Sequence, residues 1–109
     1  MVILMPYYNL DEVRSAAKAE RIRYRGRRVF LDAANLGYQL ADVISCLCGL
    51  TLEEFQKTHF REDGSIDDAY VTRHPRPDGD GALDELYVKF SLVDDFLMIS
   101  LGSFHLSRF

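Results

Sequence analysis

The chain has 109 residues, of which 48% are hydrophobic and thirteen are aromatic, seven Phe and six Tyr. This length and composition predict one folded domain, residues 1–109, and exclude global disorder. The first five residues, Met-Val-Ile-Leu-Met, follow no basic region and are too few for a signal peptide or a membrane span.

Helices are predicted in the first half of the chain. Asn9 is followed three residues later by Glu12, an N-cap pattern that begins a helix ending near Glu20. Glycines at positions 37 and 49 are typical helix ends. The later elements are a short strand at 21–25, helices at about 28–36 and 39–48, and a short helix at 51–55.

Strands are predicted in the second half. The clearest are 86–93 and 96–101, which Asp94 and Asp95 join as a hairpin, and 57–61 and 66–72 are further candidates. The segment His74–Gly81 is rich in Pro, Gly and Asp and is predicted to be a mobile loop. His105 is assigned to a tail. Helices followed by antiparallel strands predict an α+β domain.

Several classes of site are not indicated by the sequence. Cys46 and Cys48 are two positions apart in a predicted helix and point about 200° apart, so they are badly placed to bond to each other. Two cysteines are also too few for a zinc site. No phosphate-binding loop, nucleophile elbow or metal-spaced His/Glu pair is present. We therefore expect no metal, no cofactor and a reducing, cytoplasmic location.

The strongest signal is a run of arginines at every second position: Arg21, Arg23, Arg25 and Arg27. Residues 14–28 carry seven of the thirteen basic residues and one acid, Glu20, so the local charge is +6 although the whole chain has −4. If residues 21–27 are extended, four guanidinium groups project from one face about 7 Å apart. This arginine ladder suits phosphates. The alternative is a solvated edge strand protected by its charges.

Alternation predicts a second polar cluster on the sheet. In the 57–61 strand, Phe60 is expected to enter the core, which sends the opposite set outward. If the strand from residue 86 lies in the same sheet, five polar side chains gather on its open side: Lys57, His59, Arg61, Tyr87 and Lys89. The alternative is an exposed sheet face with ordinary solvated charges.

This set has the groups that RNA cleavage requires. The 2′-hydroxyl must lose a proton, the phosphorane must be stabilised and the 5′-oxygen must regain a proton. Histidine titrates near neutrality, and a lysine beside Arg61 can have a lowered pKa. Tyr87 can bond a phosphate or stack on a base. A DNA-reading helix-turn-helix is disfavoured, because the helix at 39–48 carries no Lys or Arg.

The order of these features resembles the MqsR toxins, ribonucleases of bacterial type II toxin–antitoxin systems. The resemblance extends from about Tyr8 to Leu101. It rests on the first helix with Val13 and Lys18, the basic stretch ending at Arg28, Ala33-Ala-Asn-Leu-Gly37, Ile44 to Cys48-Gly-Leu50, Phe55-Gln-Lys57, and the hairpin from Tyr87 to Ser100. It implies a RelE-like fold, with helices on one face of a small, mostly antiparallel sheet.

The resemblance also implies a function and site residues. Members cleave messenger RNA without a metal or small-molecule cofactor, and a cognate antitoxin protein inhibits them. The family's active-site lysine and tyrosine correspond to Lys57 and Tyr87, and a family glutamine corresponds to Asp67, or to Asp68 if the gap moves. Its C-terminal lysine falls near Gly102, where this chain has no basic residue. A non-catalytic RNA-binding relative and a protein-interaction module remain as alternatives.

Overall fold

Three helices form in the first half of the described residues, and side-chain caps mark the start of two of them. The computed structural model describes residues 5–107. Asn9 accepts a hydrogen bond from the Asp11 amide at 2.7 Å, and the Gln39 amide donates to the Asp42 carboxylate at 2.9 Å. Such bonds help to fix where the helices begin. The helices are α1 (Leu10–Lys18), α2 (Arg27–Asn35) and α3 (Leu40–Cys48), and a 3-10 turn follows at Leu52–Glu54.

Within residues 5–107, five strands form one sheet. They are β1 (Ile22–Tyr24), β2 (Phe55–Phe60), β3 (Ile66–Pro75), β4 (Leu83–Val93) and β5 (Met98–Leu106). Their order is β1-β5-β4-β3-β2, with β1 parallel to β5 and all other pairs antiparallel. The predicted α+β class is therefore confirmed.

Strands β3 and β5 continue past the ends that the sequence indicated. His74 pairs with Asp84 on β4, and His105 pairs with Tyr87, so the assignments of His74 to a loop and His105 to a tail were wrong. Pairing with β4 extends both strands past the point where local propensity favours a turn. The expected start of the last strand at Phe96 was also wrong, because residues 94–96 form the turn and β5 begins at Met98.

The core lies between the helices and one face of the sheet. Alternate β4 residues are buried there and pack with buried residues of α1 and α3: Leu86, Val88, Phe90, Leu92, Val13, Ala17, Val43 and Leu47. Because successive strand residues point to opposite faces, the intervening residues Tyr87, Lys89 and Ser91 lie on the other face. We call this second face the open face.

Phe60 does not enter the core. Its side chain is 73% exposed, so the expectation of a buried Phe60 was wrong. It ends the edge strand β2 opposite Ile66, whereas α1 and α2 contact β5 at the other side of the sheet. The hydrophobic layer therefore does not extend as far as the end of β2.

The expectation that the first residues form no signal peptide or membrane span concerns mainly residues 1–4, which lie outside the described part of the chain. Within residues 5–107, no helix has the length and hydropathy needed to cross a membrane.

Candidate functional site

The open face brings together the polar residues that strand alternation selected. His59 pairs with Asp67 across β2 and β3, and Lys57 and Lys89 both pair with Ala69 of β3. Directly paired residues lie on the same face of a sheet. The Tyr87 hydroxyl is 3.4 Å from His59 Nε2. We call the following group the open-face cluster: Arg25, Lys57, His59, Arg61, Asp67, Tyr87 and Lys89.

Asp67 lies at the centre of the open-face cluster and is fully buried. Its two carboxylate oxygens accept hydrogen bonds from Arg25 at 2.8 and 3.0 Å, and Arg61 lies 2.8 Å from one of them. Burial opposes ionisation, but the hydrogen bonds and charge of Arg25, followed by the charge of Arg61, hold the pKa of Asp67 below its usual value. Asp67 is therefore an anion that positions two arginines.

Asp68, the alternative match to the family glutamine, serves a different purpose. Its carboxylate accepts hydrogen bonds from the amides of Tyr7 and Tyr8 at 3.0 and 2.8 Å and from the Thr58 hydroxyl at 2.6 Å. It pairs with the buried Phe90, so it lies on the core face. Asp68 therefore fixes the segment before α1 to the sheet and stays outside the open-face cluster.

Arg25 crosses the sheet from the end of β1 and reaches position 102. Besides Asp67, its guanidinium donates to the Ser91 hydroxyl at 3.0 Å and to the Ser100 hydroxyl and carbonyl, each at 3.1 Å. Gly102 is the extra residue where the β4–β5 register shifts, and a Cβ there would lie 2.7 Å from Arg25 Nη1. Glycine thus leaves the space that the guanidinium of Arg25 fills. Arg25 therefore places a cation beside position 102, near which the family's C-terminal lysine falls.

The arginine ladder is shorter than the sequence suggested. Gly26 has φ +85° and α2 begins at Arg27, so Arg27 belongs to a helix and the extended run stops before it. Arg21 lines a cleft between α1 and the turn before β5, together with acidic side chains. Arg23 is exposed beside Ser100 and, with Arg25, continues the open face. The prediction of four arginines on one face was therefore wrong for Arg21 and Arg27.

Besides Asp67, the open-face cluster changes the pKa of His59, Lys89 and Tyr87. Burial, followed by the charges of Lys89 and Lys57, lowers the pKa of His59. Burial and then the charge of Arg61 lower the pKa of Lys89, against the opposing effect of Asp67. Burial, followed by Asp67, raises the pKa of Tyr87. At neutral pH, His59 is thus mainly a proton acceptor and Tyr87 a proton donor.

His105 joins this face and was missed by the sequence analysis. Its ring stacks on that of Tyr87, with centroids 5.3 Å apart and an angle of 25° between the planes. Its position opposite Tyr87 depends on the register shift at Gly102, which changes the alternation along β5. The alternation of polar and apolar residues gives no sign of that shift. The only sequence signal for a continuing strand is the aromatic Phe104 beside His105.

The donor set of the site is cationic. Within the described residues, no group of three or more His, Cys, Asp or Glu side chains is placed to hold a metal ion. The cationic side chains of the open-face cluster, from lysine and arginine, suit an anionic ligand such as a phosphodiester.

The structure is thus a small α+β domain with helices on one face of its sheet and a cationic cluster on the other. Residues 5–103 match the family described as "Motility quorum-sensing regulator, toxin of MqsA". The chain belongs to this MqsR toxin family, as the resemblance predicted. Membership implies that the chain is a toxin of a toxin–antitoxin system with an antitoxin partner. No curated protein matches the chain significantly.

Proposed function

We propose that this toxin is a metal-free endoribonuclease that cleaves messenger RNA in the cytoplasm and is inhibited by its antitoxin. The observation that carries the proposal is the approach of His59 Nε2 to the Tyr87 hydroxyl, 3.4 Å, within a group of cations. A proton acceptor and a proton donor beside positive charge are the groups that phosphodiester cleavage needs.

Each residue then has a chemical role. His59, neutral because its pKa is lowered, removes the proton of the RNA 2′-hydroxyl. The 2′-oxygen attacks the adjacent phosphorus, the bond to the 5′-oxygen breaks, and that oxygen takes the proton that His59 has received from the 2′-hydroxyl. The products are a 2′,3′-cyclic phosphate and a 5′-hydroxyl. Lys57 and Arg61 stabilise the phosphorane charge, and Tyr87, kept protonated by its raised pKa, donates to the phosphate.

The remaining cations hold the RNA strand. Lys89 and Arg25 lie along β4 and β5 next to the reacting groups, and Arg23 extends this surface to the sheet edge. Asp67 keeps Arg25 and Arg61 in place by ion pairing. In this proposal Asp67 positions the phosphate-binding groups and transfers no proton, which differs from the catalytic role that the family match first assigned to it.

The decisive test is RNA cleavage by Lys57→Ala and Tyr87→Phe. Both residues lie on the open face, where substitutions change stability by only about 0.5 kcal/mol or less. We expect folded variants, with cleavage by Lys57→Ala reduced at least about a hundredfold, because a group that stabilises the phosphorane charge is lost, and cleavage by Tyr87→Phe reduced less. Lys18→Ala, at an exposed position on α1, is the matched control and should cleave like the parent. EDTA should not affect the parent.

Two outcomes would contradict the proposal. If the purified parent leaves RNA intact both with and without ribosomes, the chain is not a nuclease. If Lys57→Ala cleaves as fast as the parent, the chemistry depends on other members of the open-face cluster.

A non-catalytic RNA-binding relative is the second candidate. Both carboxylate oxygens of Asp67 are engaged by arginines, so the residue matching the family glutamine is not free to contact a substrate. This favours a protein that binds RNA without cleaving it. Induced expression of the chain alone separates the two candidates, because an active toxin arrests growth and a non-catalytic relative does not.

A further inference from the structure

Tyr87 and His105 form a pair of stacked rings that the core does not require. They occupy directly opposite positions on β4 and β5, and their sequence neighbours Val88 and Phe104 are the fully buried members of the same strands. The two rings are half-buried on the open face. Their surface is therefore available to a ligand.

The ring of His105 is held in a fixed orientation. Its Nδ1 lies 2.9 Å from the Leu106 carbonyl, and because a carbonyl can only accept, Nδ1 donates this hydrogen bond. On the other side of the pair, the Tyr87 hydroxyl contacts His59. Both rings are thus oriented before any ligand binds, which lowers the entropy lost on binding.

The ring pair is open to approach from the margin of the sheet. Strand β1 pairs with β5 only at Ile99–Leu101. Among the described residues, no strand therefore lies beside the outer edge of β5 from Ser103 to Leu106. A flat ligand can reach His105 from this side without displacing a strand.

One cation, Lys89, lies next to the ring pair. Lys89 pairs with Ser103, two residues along the strands from Tyr87 and His105. Residues two apart on a strand are about 7 Å apart, close to one nucleotide step of an extended RNA strand. A phosphate at Lys89 therefore places an adjoining base over the rings.

We propose that Tyr87 and His105 form a stacking platform for one unpaired base next to the bound phosphate. This inference rests on the proposed function, because it takes RNA as the ligand. Aromatic rings bind bases through their faces, and in a duplex those faces are already stacked on neighbouring base pairs. The platform therefore selects unpaired segments of RNA.

The test is binding of a 2′-O-methyl oligonucleotide of mixed sequence, measured by fluorescence anisotropy. This probe has no free 2′-hydroxyl and cannot be cleaved, so binding is measured whether or not the chain is a nuclease. His105→Ala should raise Kd roughly 5- to 150-fold, the effect of losing one base–aromatic stack. His105→Phe, which keeps a ring but no titrating group, should bind like the parent. The matched control is His74→Ala, a histidine on the core face.

A second probe makes the test independent of how the variants fold. An oligonucleotide with the same backbone but no bases should bind the parent more weakly, and His105→Ala should bind it no worse than the parent does. The platform is refuted if the parent binds both probes equally or binds neither, or if His105→Phe is as weak as His105→Ala. If the parent cleaves RNA but binds the probes with and without bases equally, the nuclease proposal stands and only the platform is refuted.

Discussion

Replacement of Asp67 by asparagine tests whether this carboxylate organises the open-face cluster through its charge. Asp67→Asn keeps the size of the side chain but removes the partner of Arg25 and Arg61. Breaking a buried ion pair costs about 3–5 kcal/mol, and we expect about 3 kcal/mol because the two arginines remain able to contact water, their side chains being 30% and 38% exposed. For a domain of this size, that loss lowers Tm by roughly 12–24 °C.

The assay is urea denaturation of the parent and of Asp67→Asn at several pH values. Because the folded-state pKa of Asp67 is depressed, the ionised form stabilises the fold above the unfolded pKa, about 3.9, and this contribution is lost as pH falls through the folded pKa. The difference in unfolding free energy should therefore be full at pH 7 and shrink below about pH 4. A difference that is equal at pH 7 and pH 3, or absent at pH 7, would refute the ion-pair argument.

Three further predictions concern cleavage and RNA binding. The acid-side midpoint of kcat/KM should lie below 6.5, the usual pKa of histidine, because His59 has a lowered pKa and must be neutral to act as base. Arg23→Glu should flatten the salt dependence of single-stranded RNA binding by about 0.7, whereas Arg27→Glu, on α2, should change it less. Gly102→Ala should weaken RNA binding by displacing the guanidinium of Arg25, which anisotropy at constant salt measures.

Each of these predictions has an outcome that contradicts it. An acid-side midpoint above 6.5, or one unchanged in a residually active His59→Gln, removes His59 as the base. Equal salt slopes for the two glutamate variants would place the RNA away from β1. Parent-like RNA binding by Gly102→Ala would show that Arg25 adapts without loss. Gly49→Ala, at the end of α3 where a Cβ makes only ordinary contacts, is the control for glycine replacement.

The sequence predicted the open-face set correctly where strands are regular. Lys57, His59, Tyr87 and Lys89 follow from a period of two, which a continuous ladder enforces on both neighbours. The same rule failed for Phe60, because alternation determines the face of a residue but says nothing about whether a helix covers that part of the sheet. Burial at the end of an edge strand depends on helix positions, which the period does not encode.

The central ion pair could not be predicted from local pattern. Arg25 and Asp67 are 42 residues apart, and their contact needs Arg25 to cross β5 and β4 over small side chains. That path exists because Ser91, Ser100 and Gly102 leave room for the guanidinium. In the sequence nothing relates these small residues to Arg25. Only the pairing register of β1, β5 and β4 shows that they lie side by side under Arg25.

The acidic net charge of the chain does not oppose RNA binding at this site. The open-face cluster contains four cations, Arg25, Lys57, Arg61 and Lys89, and one carboxylate, Asp67, so its local charge with neutral histidine is four minus one, or +3. At physiological salt, charges more than about 8 Å away are strongly screened. An approaching phosphate therefore responds mainly to this cluster and to Asp63, whose charge acts on Arg25 and Arg61, while the acids on α1 and in the β4–β5 turn lie elsewhere. The buried Asp67 lowers the local charge by one, but it holds two guanidinium groups at fixed positions, and a fixed donor binds phosphate with a smaller loss of entropy than a mobile one.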